Sequence, residues 1–472
     1  GGGGAGGGGG GAGQAGGAVG SRAPPESDVY TEAPALLVAA RARLLGFSLD
    51  KARARLAGVK KRRREVHDLA EAEQAAAGQA GGGAESKEDA RARSLFSQVA
   101  TLGASGSQLG DERPLATLRA TPGCGGGSGG GLLATGSLAN HVKIWDARSL
   151  EPLGVLGQGQ ANQGHLERIT GLDWHPQAGV EGALQAGATF GGGGGGDGGD
   201  PSDGSCGEAA CAGLLASASA DKTAKIWRVH QAPGGGEDQA SGGKAKAAAG
   251  LSAGRCVATL RGHEHRLGQV GWHPDGAHLG TASFDRSWRL WDVEAEAELL
   301  LQDGHAYEVY MLSFQKDGAL VCTGDFGGVG LVWDLRCGKK VFGMTGHVKR
   351  IVCGDFSPNG FQVVTGGDDH SARVWDLRQR CCSYVVPAHA SVVSSLRFDA
   401  TGECLLTASF DSKLRVWSAR DWSLLADLGG HEGKVMGADW GACDPRNGGR
   451  QGIFTAGFDR TLKAWEVGAG GF

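Results

Sequence analysis

Three observations predict that this chain of 472 residues has an all-β fold, a seven-bladed β-propeller. A Gly-His dipeptide, weakened once to Ala388-His389, returns every 42 residues from Gly262-His263 to Gly430-His431. Short apolar runs between these marks alternate with tight-turn residues, as in His273-Pro274-Asp275-Gly276. A tryptophan closes an apolar run at seven equivalent places, namely Trp145, Trp227, Trp291, Trp333, Trp375, Trp417 and Trp465. Four-stranded units of this size must stack on neighbours, and a closed ring of seven protects most strand edges.

One repeat shows the elements in order. Val270–Trp272, Leu279–Ser283 and Ser287–Trp291 are three predicted strands, and a fourth, outer strand follows before the next Gly-His. Gly-His near the start, Trp-Asp near the end and a period of roughly 40–45 residues are typical of WD40 blades. The full prediction is a seven-bladed WD40 β-propeller preceded by a short helical, partly disordered N-terminal extension.

The extension is predicted to contain two parts. Residues 1–33 are a Gly-rich tail that is expected to be disordered. Residues 34–75 form a basic helical segment, in which Gly46-Phe47-Ser48 is expected to break one helix and to cap a second. The second helix carries Leu49, Ala52, Leu56 and Val59 on its apolar side.

A run of five basic residues ends this segment, and two interpretations of it stay open. The run is either a solvated helical face or a site for nuclear import or RNA phosphate contact. Its residues are Lys60, Lys61, Arg62, Arg63 and Arg64.

Residues 76–110 are predicted to hold a linker, a helix and a segment that closes the propeller. The chain ends soon after Trp465, so the last blade lacks an outer strand of its own, and a segment within 94–110 is expected to supply it. The propeller itself is assigned to 111–467. Gly-rich insertions interrupt it near 121–131, 177–212, 230–254 and 441–451.

The insertions predict a docking face. All four fall in loops that join the first and second, or the third and fourth, strands of a blade, and these loops share one rim. We call the other rim, built from second-to-third and blade-to-blade loops, the compact rim. Because loops accept insertions where nothing docks, partners are expected on the compact rim.

Aromatic and basic residues are predicted to form a partner-binding surface there. The alternative is that the Phe rings fold inward as packing. The candidate residues are Phe284, Phe410, Phe458, Arg266, Lys349 and Arg350.

A second set of polar residues recurs at blade spacing and resembles a hydrogen-bonded chain of His, strand Ser, turn Asp and Trp. A hydrolase triad would not return three times, so a structural role is favoured. Blades one and four have Ala139 and Gly327 at the Asp position and are expected to be less rigid. The three sets are His165, Ser219, Asp221 and Trp227; His263, Ser283, Asp285 and Trp291; and His389, Ser409, Asp411 and Trp417.

The composition and the motifs of the sequence argue against several classes of function. A net charge of −4 gives no global attraction to nucleic acid, and eleven scattered cysteines favour reduced thiols in a nuclear or cytosolic setting. No apolar stretch reaches 18 residues. No phosphate loop, HExxH zinc motif or kinase set is present, and no titratable residues are predicted to converge on the central channel. The sequence therefore predicts a protein that is not an enzyme, with no metal, cofactor, small-molecule substrate or membrane partner.

Several segments resemble the WD-repeat protein of the U4/U6 small nuclear ribonucleoprotein (snRNP), a family of pre-mRNA splicing factors. They are Asp111–Pro114, Arg286–Asp292, Phe356–Gly360, Asp376–Arg380 and Gly430–Gly437, together with the helical region at 34–64. The resemblance covers about 34–70 and 93–467. The family's small N-terminal splicing-factor motif is not recognisable, which leaves open that it lies upstream of Gly1.

The resemblance implies a nuclear, non-catalytic scaffold of the U4/U6 snRNP and the U4/U6.U5 tri-snRNP. Its implied partners are a second U4/U6-specific protein, a cyclophilin, and U4/U6 snRNA through direct or indirect contact. One alternative is a generic nuclear WD40 adaptor, such as a ubiquitin-ligase substrate receptor or a chromatin-associated scaffold.

Overall fold

A computed structural model describes residues 34–76, 93, 96–97, 99, 101–122, 131–157, 164–177, 211–230, 252–444 and 450–467. Within these ranges the chain forms a long helix and seven four-stranded antiparallel sheets. The predicted seven-bladed propeller is therefore confirmed. The tail at 1–33, most of the linker and helix predicted before 100, and the centres of the four insertions lie outside the described residues.

Blades one to six take their strands in chain order, from the inner to the outer edge. Blades one to three consist of β2 (Leu115–Ala120), β3 (Leu132–Ser137), β4 (Val142–Asp146) and β5 (Pro152–Leu156); β6 (Ile169–Trp174), β7 (Cys211–Ser219), β8 (Ala224–His230) and β9 (Ser252–Leu260); and β10 (Leu267–Trp272), β11 (His278–Ser283), β12 (Trp288–Asp292) and β13 (Ala297–Gln302).

Blades four to six follow the same plan. Their strands are β14 (Val309–Phe314), β15 (Leu320–Asp325), β16 (Val329–Asp334) and β17 (Lys339–Thr345); β18 (Ile351–Phe356), β19 (Gln362–Gly367), β20 (Ala372–Asp376) and β21 (Cys381–Val386); and β22 (Val393–Phe398), β23 (Cys404–Ser409), β24 (Lys413–Ser418) and β25 (Leu424–Gly429).

Blade seven takes strands from both ends of the sequence. β26 (Val435–Asp444), β27 (Arg450–Gly457) and β28 (Thr461–Val467) come from the C-terminal end, and β1 (Leu102–Leu109) supplies the outer strand. The register runs from Leu102 opposite Val467 to Leu109 opposite Thr461. The closing strand lies inside the interval where the sequence predicted it.

The hydrophobic core lies between neighbouring blades. Every residue of the second strands β3, β11 and β23 is buried, because these strands are covered on both faces. One core cluster joins Ile226 and Ala258 of blade two to Val270 and Trp291 of blade three. Stacking of blades, rather than any single sheet, therefore supplies the buried area.

The helix α1 (Ala35–Ala76) is continuous, so the predicted break at Gly46-Phe47-Ser48 is wrong. The Ser48 hydroxyl donates to the Leu45 carbonyl at 3.1 Å within the helix, and the Phe47 ring packs on His273 at 5.9 Å. Weak helix formers cost less than about 1 kcal/mol each, so such tertiary contacts can keep a helix intact.

The helix α1 lies on the rim that carries the insertions. Leu37, Ala40 and Leu44 are buried in one cluster with residues of blades three and four. Further along, Arg55 forms an ion pair with Asp317 at 2.8 Å and donates to the Asn359 carbonyl at 2.9 Å. The helix thus covers blades three to five, whereas the insertions belong to blades one, two and seven. That rim is therefore itself a docking face, for this chain's own helix.

Candidate functional site: the compact rim

The turns of the compact rim share one backbone geometry. The last turn residue between second and third strands has a positive φ in every blade, and glycine takes the place in blade four. For a non-glycine residue this left-handed conformation costs roughly 1 kcal/mol and persists where surrounding bonds hold it. The residues are Asn140, Lys222, Arg286, Gly328, His370, Ser412 and Arg460, with φ between 65° and 82°.

A hydrogen-bonded chain holds six of these seven turns. In blade three, His263 Nδ1 lies 2.7 Å from Asp285 Oδ2, and His263 Nε2 lies 2.7 Å from Thr281 Oγ1. The Trp291 indole N–H donates to the same hydroxyl at 2.9 Å. Because that hydroxyl accepts from the indole, it can donate to Nε2 of a neutral His whose Nδ1–H donates to Asp285.

The same chain occurs in six blades. Each set contains a His, an Asp, a strand hydroxyl and a Trp in hydrogen-bond contact. The hydroxyls and their His partners are Ser217 with His165, Thr281 with His263, Thr323 with His305, Thr365 with His347, Thr407 with His389 and Thr455 with His431. In blade one, Trp145 donates to Thr135 at 2.8 Å.

The sequence prediction placed the wrong hydroxyl in this chain. Ser219, Ser283 and Ser409 lie two residues after the hydroxyl that bonds His and Trp. Ser283 instead accepts the Asp285 amide N–H at 3.2 Å and donates to carbonyls of the preceding loop. Residues two apart point to the same face of a strand, so sequence alone does not separate them. In blade three the Trp291 indole bonds the first of the two hydroxyls, that of Thr281.

The Asp285 carboxylate of blade three is held in its charged form. Burial alone would raise the pKa of Asp285, but hydrogen bonds from His263 and Ser287 and the charge of His263 lower it well below its usual range. For His165, burial dominates and lowers the pKa, against the opposing effect of Asp221. Both shifts favour a neutral His165 beside an anionic Asp221 in blade two, and this pairing suits support of a turn.

Blade four keeps the chain although Gly327 stands at the Asp position. Asp325, two residues earlier, bonds His305 Nδ1 at 3.0 Å and accepts the Val329 amide N–H at 2.8 Å. A Cβ on Gly327 would lie 2.3 Å from the Tyr307 ring. The glycine thus makes room for an aromatic side chain on the rim, and Asp325 supplies the carboxylate that the sequence placed at position 327. The lower rigidity expected for blade four stays a prediction.

The three predicted Phe residues do not form one exposed patch. Phe284 is half-buried against Tyr310 and Phe326, with ring centroids at 6.1 and 5.1 Å. The Arg266 guanidinium lies over the Phe284 ring at 4.0 Å. Phe284 therefore follows the packing alternative that the sequence left open.

The remaining predicted residues are spread around the rim. Phe410 is half-buried with Lys434 over its ring at 4.8 Å, and Phe458 is exposed. Lys349 and Arg350 are exposed, and Arg350 lies 5.5 Å from the Phe326 ring and 3.3 Å from Asp368. On the rim, basic side chains thus lie over aromatic rings, and exposed apolar side chains stand between them.

Sequence reasoning missed the most exposed apolar side chains of the rim. Leu166 and Val348 are each 82% exposed, and Tyr307 is 56% exposed. All three follow a blade histidine by one or two positions. Aligning the repeats on that histidine and reading the next two residues would have found them.

Charged residues do converge on the central channel, contrary to the sequence prediction. Asp173, Asp355 and Asp439 accept the backbone N–H groups of Trp272, Phe398 and Ala120, each in the next blade, at 2.8 to 3.0 Å. Arg119 lies 3.6 Å from Asp173 and 4.0 Å from Asp439, and Arg397 lies 3.5 Å from Asp355. These carboxylates bind neighbouring blades together, which is a structural task.

Among the described residues, one group has the composition of a metal site. His273, Asp275 and His278 bring ligand atoms within 4.8 Å of one another under α1. Asp275 bonds both Nδ1 atoms, at 2.9 and 2.7 Å, and His273 Nε2 contacts the Gly318 carbonyl at 2.8 Å. Direct contacts between all these groups support a turn rather than surround an ion.

The basic run lies on α1, away from the compact rim. Lys60, Lys61, Arg62, Arg63 and Arg64 are all exposed, and they follow Arg55, which contacts the propeller. Exposure at this place fits both interpretations of the run.

Comparison with known proteins agrees with the blade geometry. The family described as WD domain, G-beta repeat matches residues 254–292, 338–376 and 380–418. Each match includes the outer strand of one blade and the first three strands of the next, which are blades three, five and six. The chain is a WD-repeat β-propeller. No helix among the described residues combines the length and apolar character that a membrane span requires.

The chain is similar to two longer proteins over more than half of its length. The U4/U6 small nuclear ribonucleoprotein PRP4 of Saccharomyces cerevisiae is 28% identical over 279 residues, 59% of this chain and 43% of that protein. An uncharacterized WD repeat-containing protein, C227.12, of Schizosaccharomyces pombe is 30% identical over 259 residues, 55% of this chain and 39% of that protein. The match thus spans less than half of either relative. The resemblance inferred from the sequence motifs is confirmed.

Proposed function

We propose that this chain is a non-catalytic scaffold subunit of the U4/U6 snRNP and the U4/U6.U5 tri-snRNP in the nucleus, acting in pre-mRNA splicing. The observation that carries the proposal is the similarity of this chain, which forms a complete propeller, to PRP4. The partners would be other snRNP proteins, including a second U4/U6-specific protein and a cyclophilin, with U4/U6 snRNA held directly or through them.

The compact rim is the proposed protein-docking face. Its turns are held by buried hydrogen bonds, so the exposed side chains are presented on a rigid frame. Apolar points such as Leu166, Val348 and Phe458 stand beside basic residues such as Lys349. Aromatic, aliphatic and cationic groups side by side suit a protein partner better than a nucleic-acid duplex.

The particle assignment is tested by purifying the tagged chain from nuclear extract and sequencing the RNA that accompanies it. We expect U4 and U6 snRNA to be enriched together. Absence of both, with the propeller folded, would contradict the snRNP assignment and favour a generic WD40 adaptor.

The docking face is tested with variants in the same purification. Phe458→Ala combined with Val348→Asp and Lys349→Glu changes three exposed residues, so melting should stay within a few degrees of the parent chain. We expect recovery of snRNP proteins to fall by about tenfold or more. The matched control is Val341→Asp with Tyr384→Ala, two exposed residues on outer strands. Equal recovery from both variants would move docking away from the compact rim.

A triple change of Phe284, Phe410 and Phe458 to Ala is a weaker test. Phe284 and Phe410 are half-buried, so their truncation should also lower the melting temperature. Loss of binding in that variant is informative only if the rim variant of exposed residues loses binding as well.

A further inference from the structure

The helix α1 has a second apolar face that the propeller does not cover. Val38, Leu45, Leu49, Leu56 and Val59 are each between 41% and 56% exposed. The face that contacts the propeller uses other residues, namely Leu37, Ala40, Leu44, Phe47 and Ser48. The apolar side predicted for the second half of this helix is thus largely directed to solvent.

The exposed face has the spacing of a helix-pairing seam. Its members are separated by seven, four, seven and three residues, the steps that place side chains along one stripe of a helix. From Val38 to Val59 the stripe is about 32 Å long at 1.5 Å per residue. A partner helix of about six turns would match it.

Charge selects among the possible occupants of this face. Between residues 38 and 64 the sequence has ten Lys or Arg residues and one acid, Asp50. Among these cations, Arg55 pairs with Asp317 and Arg53 pairs with Asp50. A second copy of α1 would bring like charges together along the whole seam, which disfavours self-pairing.

We infer that the exposed face of α1 is a docking site for an acidic amphipathic α-helix of a partner protein. Leu and Ile side chains of the partner would fill the seam between Val38 and Val59, and its flanking Glu residues would face the basic residues of α1. The inference concerns the helix and does not rest on the function proposed for the compact rim.

The direct test uses the full chain and a defined probe. The probe is a fluorescein-labelled 28-residue peptide with Leu and Ile at the seam positions and Glu at the flanking positions, measured by fluorescence anisotropy. We expect saturable binding that weakens when salt is raised from 50 to 300 mM, because the flanking contacts are exposed. A peptide with Lys in place of Glu should not bind.

Variants locate the binding. Leu49→Glu with Leu56→Glu places two charges in the seam, and the dissociation constant should rise by about tenfold or more. Leu36→Glu is the matched control, because Leu36 is 52% exposed but lies on the opposite flank of the same helix. Circular dichroism of each variant checks that the helix and the propeller remain folded.

Four outcomes would overturn the inference. They are equal binding of the Lys peptide, equal binding by the double variant, dimers of the parent chain that the double variant abolishes, and complete displacement of the peptide by a 20-base-pair RNA duplex. The third would assign the face to a second copy, and the fourth to nucleic acid. The compact-rim variant should bind the peptide normally, so this test and that of the snRNP proposal fail independently.

Discussion

At the scale of single residues, the molecule depends on repeated buried polar contacts. A His between an Asp and a hydroxyl, with a Trp on the same hydroxyl, occurs in six of the seven blades. Each such chain joins a blade-to-blade loop to the turn between the second and third strands. The hydroxyl accepts from the Trp indole and contacts the His ring nitrogen, so its loss leaves two buried polar groups without a partner.

Thr281→Val tests this directly. The substitution keeps the shape of the side chain but leaves His263 Nε2 and the Trp291 indole without their partner. Unsatisfied buried groups cost roughly 1–3 kcal/mol each, so we expect a loss of about 2–4 kcal/mol, measured by thermal and urea unfolding. Ser283→Ala is the control and should cost about 1 kcal/mol. A larger loss from Ser283→Ala would restore the serine to the chain.

A second residue-scale prediction concerns pH. Burial raises the pKa of Asp173 to about 6, against the lowering effect of Arg119. Because the pKa of Asp173 is raised in the folded state, its contribution to the free energy of unfolding is fully present below about pH 4. That contribution is lost as the pH rises through about 6.

Asp173→Asn removes this titration. The melting temperature of the variant minus that of the parent chain should therefore increase between pH 4 and pH 7. Scanning calorimetry across that range measures the difference, with Asp303→Asn on an exposed loop as the control for charge removal. A difference that stays constant from pH 4 to pH 7 would contradict the prediction.

The periodic residues of the blades were predictable, whereas their exact bonding was not. His, Asp and Trp recur at fixed spacing, so sequence located three members of the chain in several blades. The hydroxyl was misplaced by two residues because Thr281 and Ser283 share a strand face. Asp325 was missed because its role appears only when the strand and turn are seen together.

At the scale of elements, α1 shows that a helix can be fixed by contacts far away in sequence. Local propensity predicted a break at Gly46-Phe47-Ser48. The structure instead packs Phe47 on His273 and pairs Arg55 with Asp317, more than 200 residues away. No pattern within the helix reports those contacts, so sequence analysis had no means to find them.

Arg55→Met should loosen the second half of the helix. It removes the ion pair with Asp317 and the bond to the Asn359 carbonyl, both partly buried. We expect amide hydrogen exchange of residues 50–60 to become several-fold faster while the propeller exchanges as before. Arg53→Met is the matched control, because its pair with Asp50 is exposed. Equal exchange in both variants would show that Arg55 does not anchor the helix.

At the scale of the whole molecule, two kinds of contact close the ring. β1 completes the sheet of β26 to β28, and Asp439 of blade seven accepts the Ala120 amide N–H of blade one. The need for an outer strand was predictable by counting strands after the last tryptophan. The carboxylate contacts between blades were not, because they join residues that have no sequence relation.

Deletion of residues 1–110 should therefore open the ring. Loss of β1 removes its pairing with β28, and at about 0.5–1.5 kcal/mol per backbone hydrogen bond the cost is roughly 3–7 kcal/mol. Deletion of residues 1–76 removes α1 but keeps β1, and it should melt closer to the parent chain. Light scattering should detect aggregation of the shorter chain alone, because an unpaired edge recruits other strands. Identical melting of the two deletions would argue against closure by β1.

The pairing of β1 with β28 also determines when the last blade can form during synthesis. About 350 residues separate the two partners in sequence, and translation at 5–20 residues per second takes roughly 20–70 s to cover that distance. During this interval the nascent chain carries one strand with no native neighbour, while six blades can form behind it. The last blade is therefore the step at which a folding helper in the cell has the longest time to act.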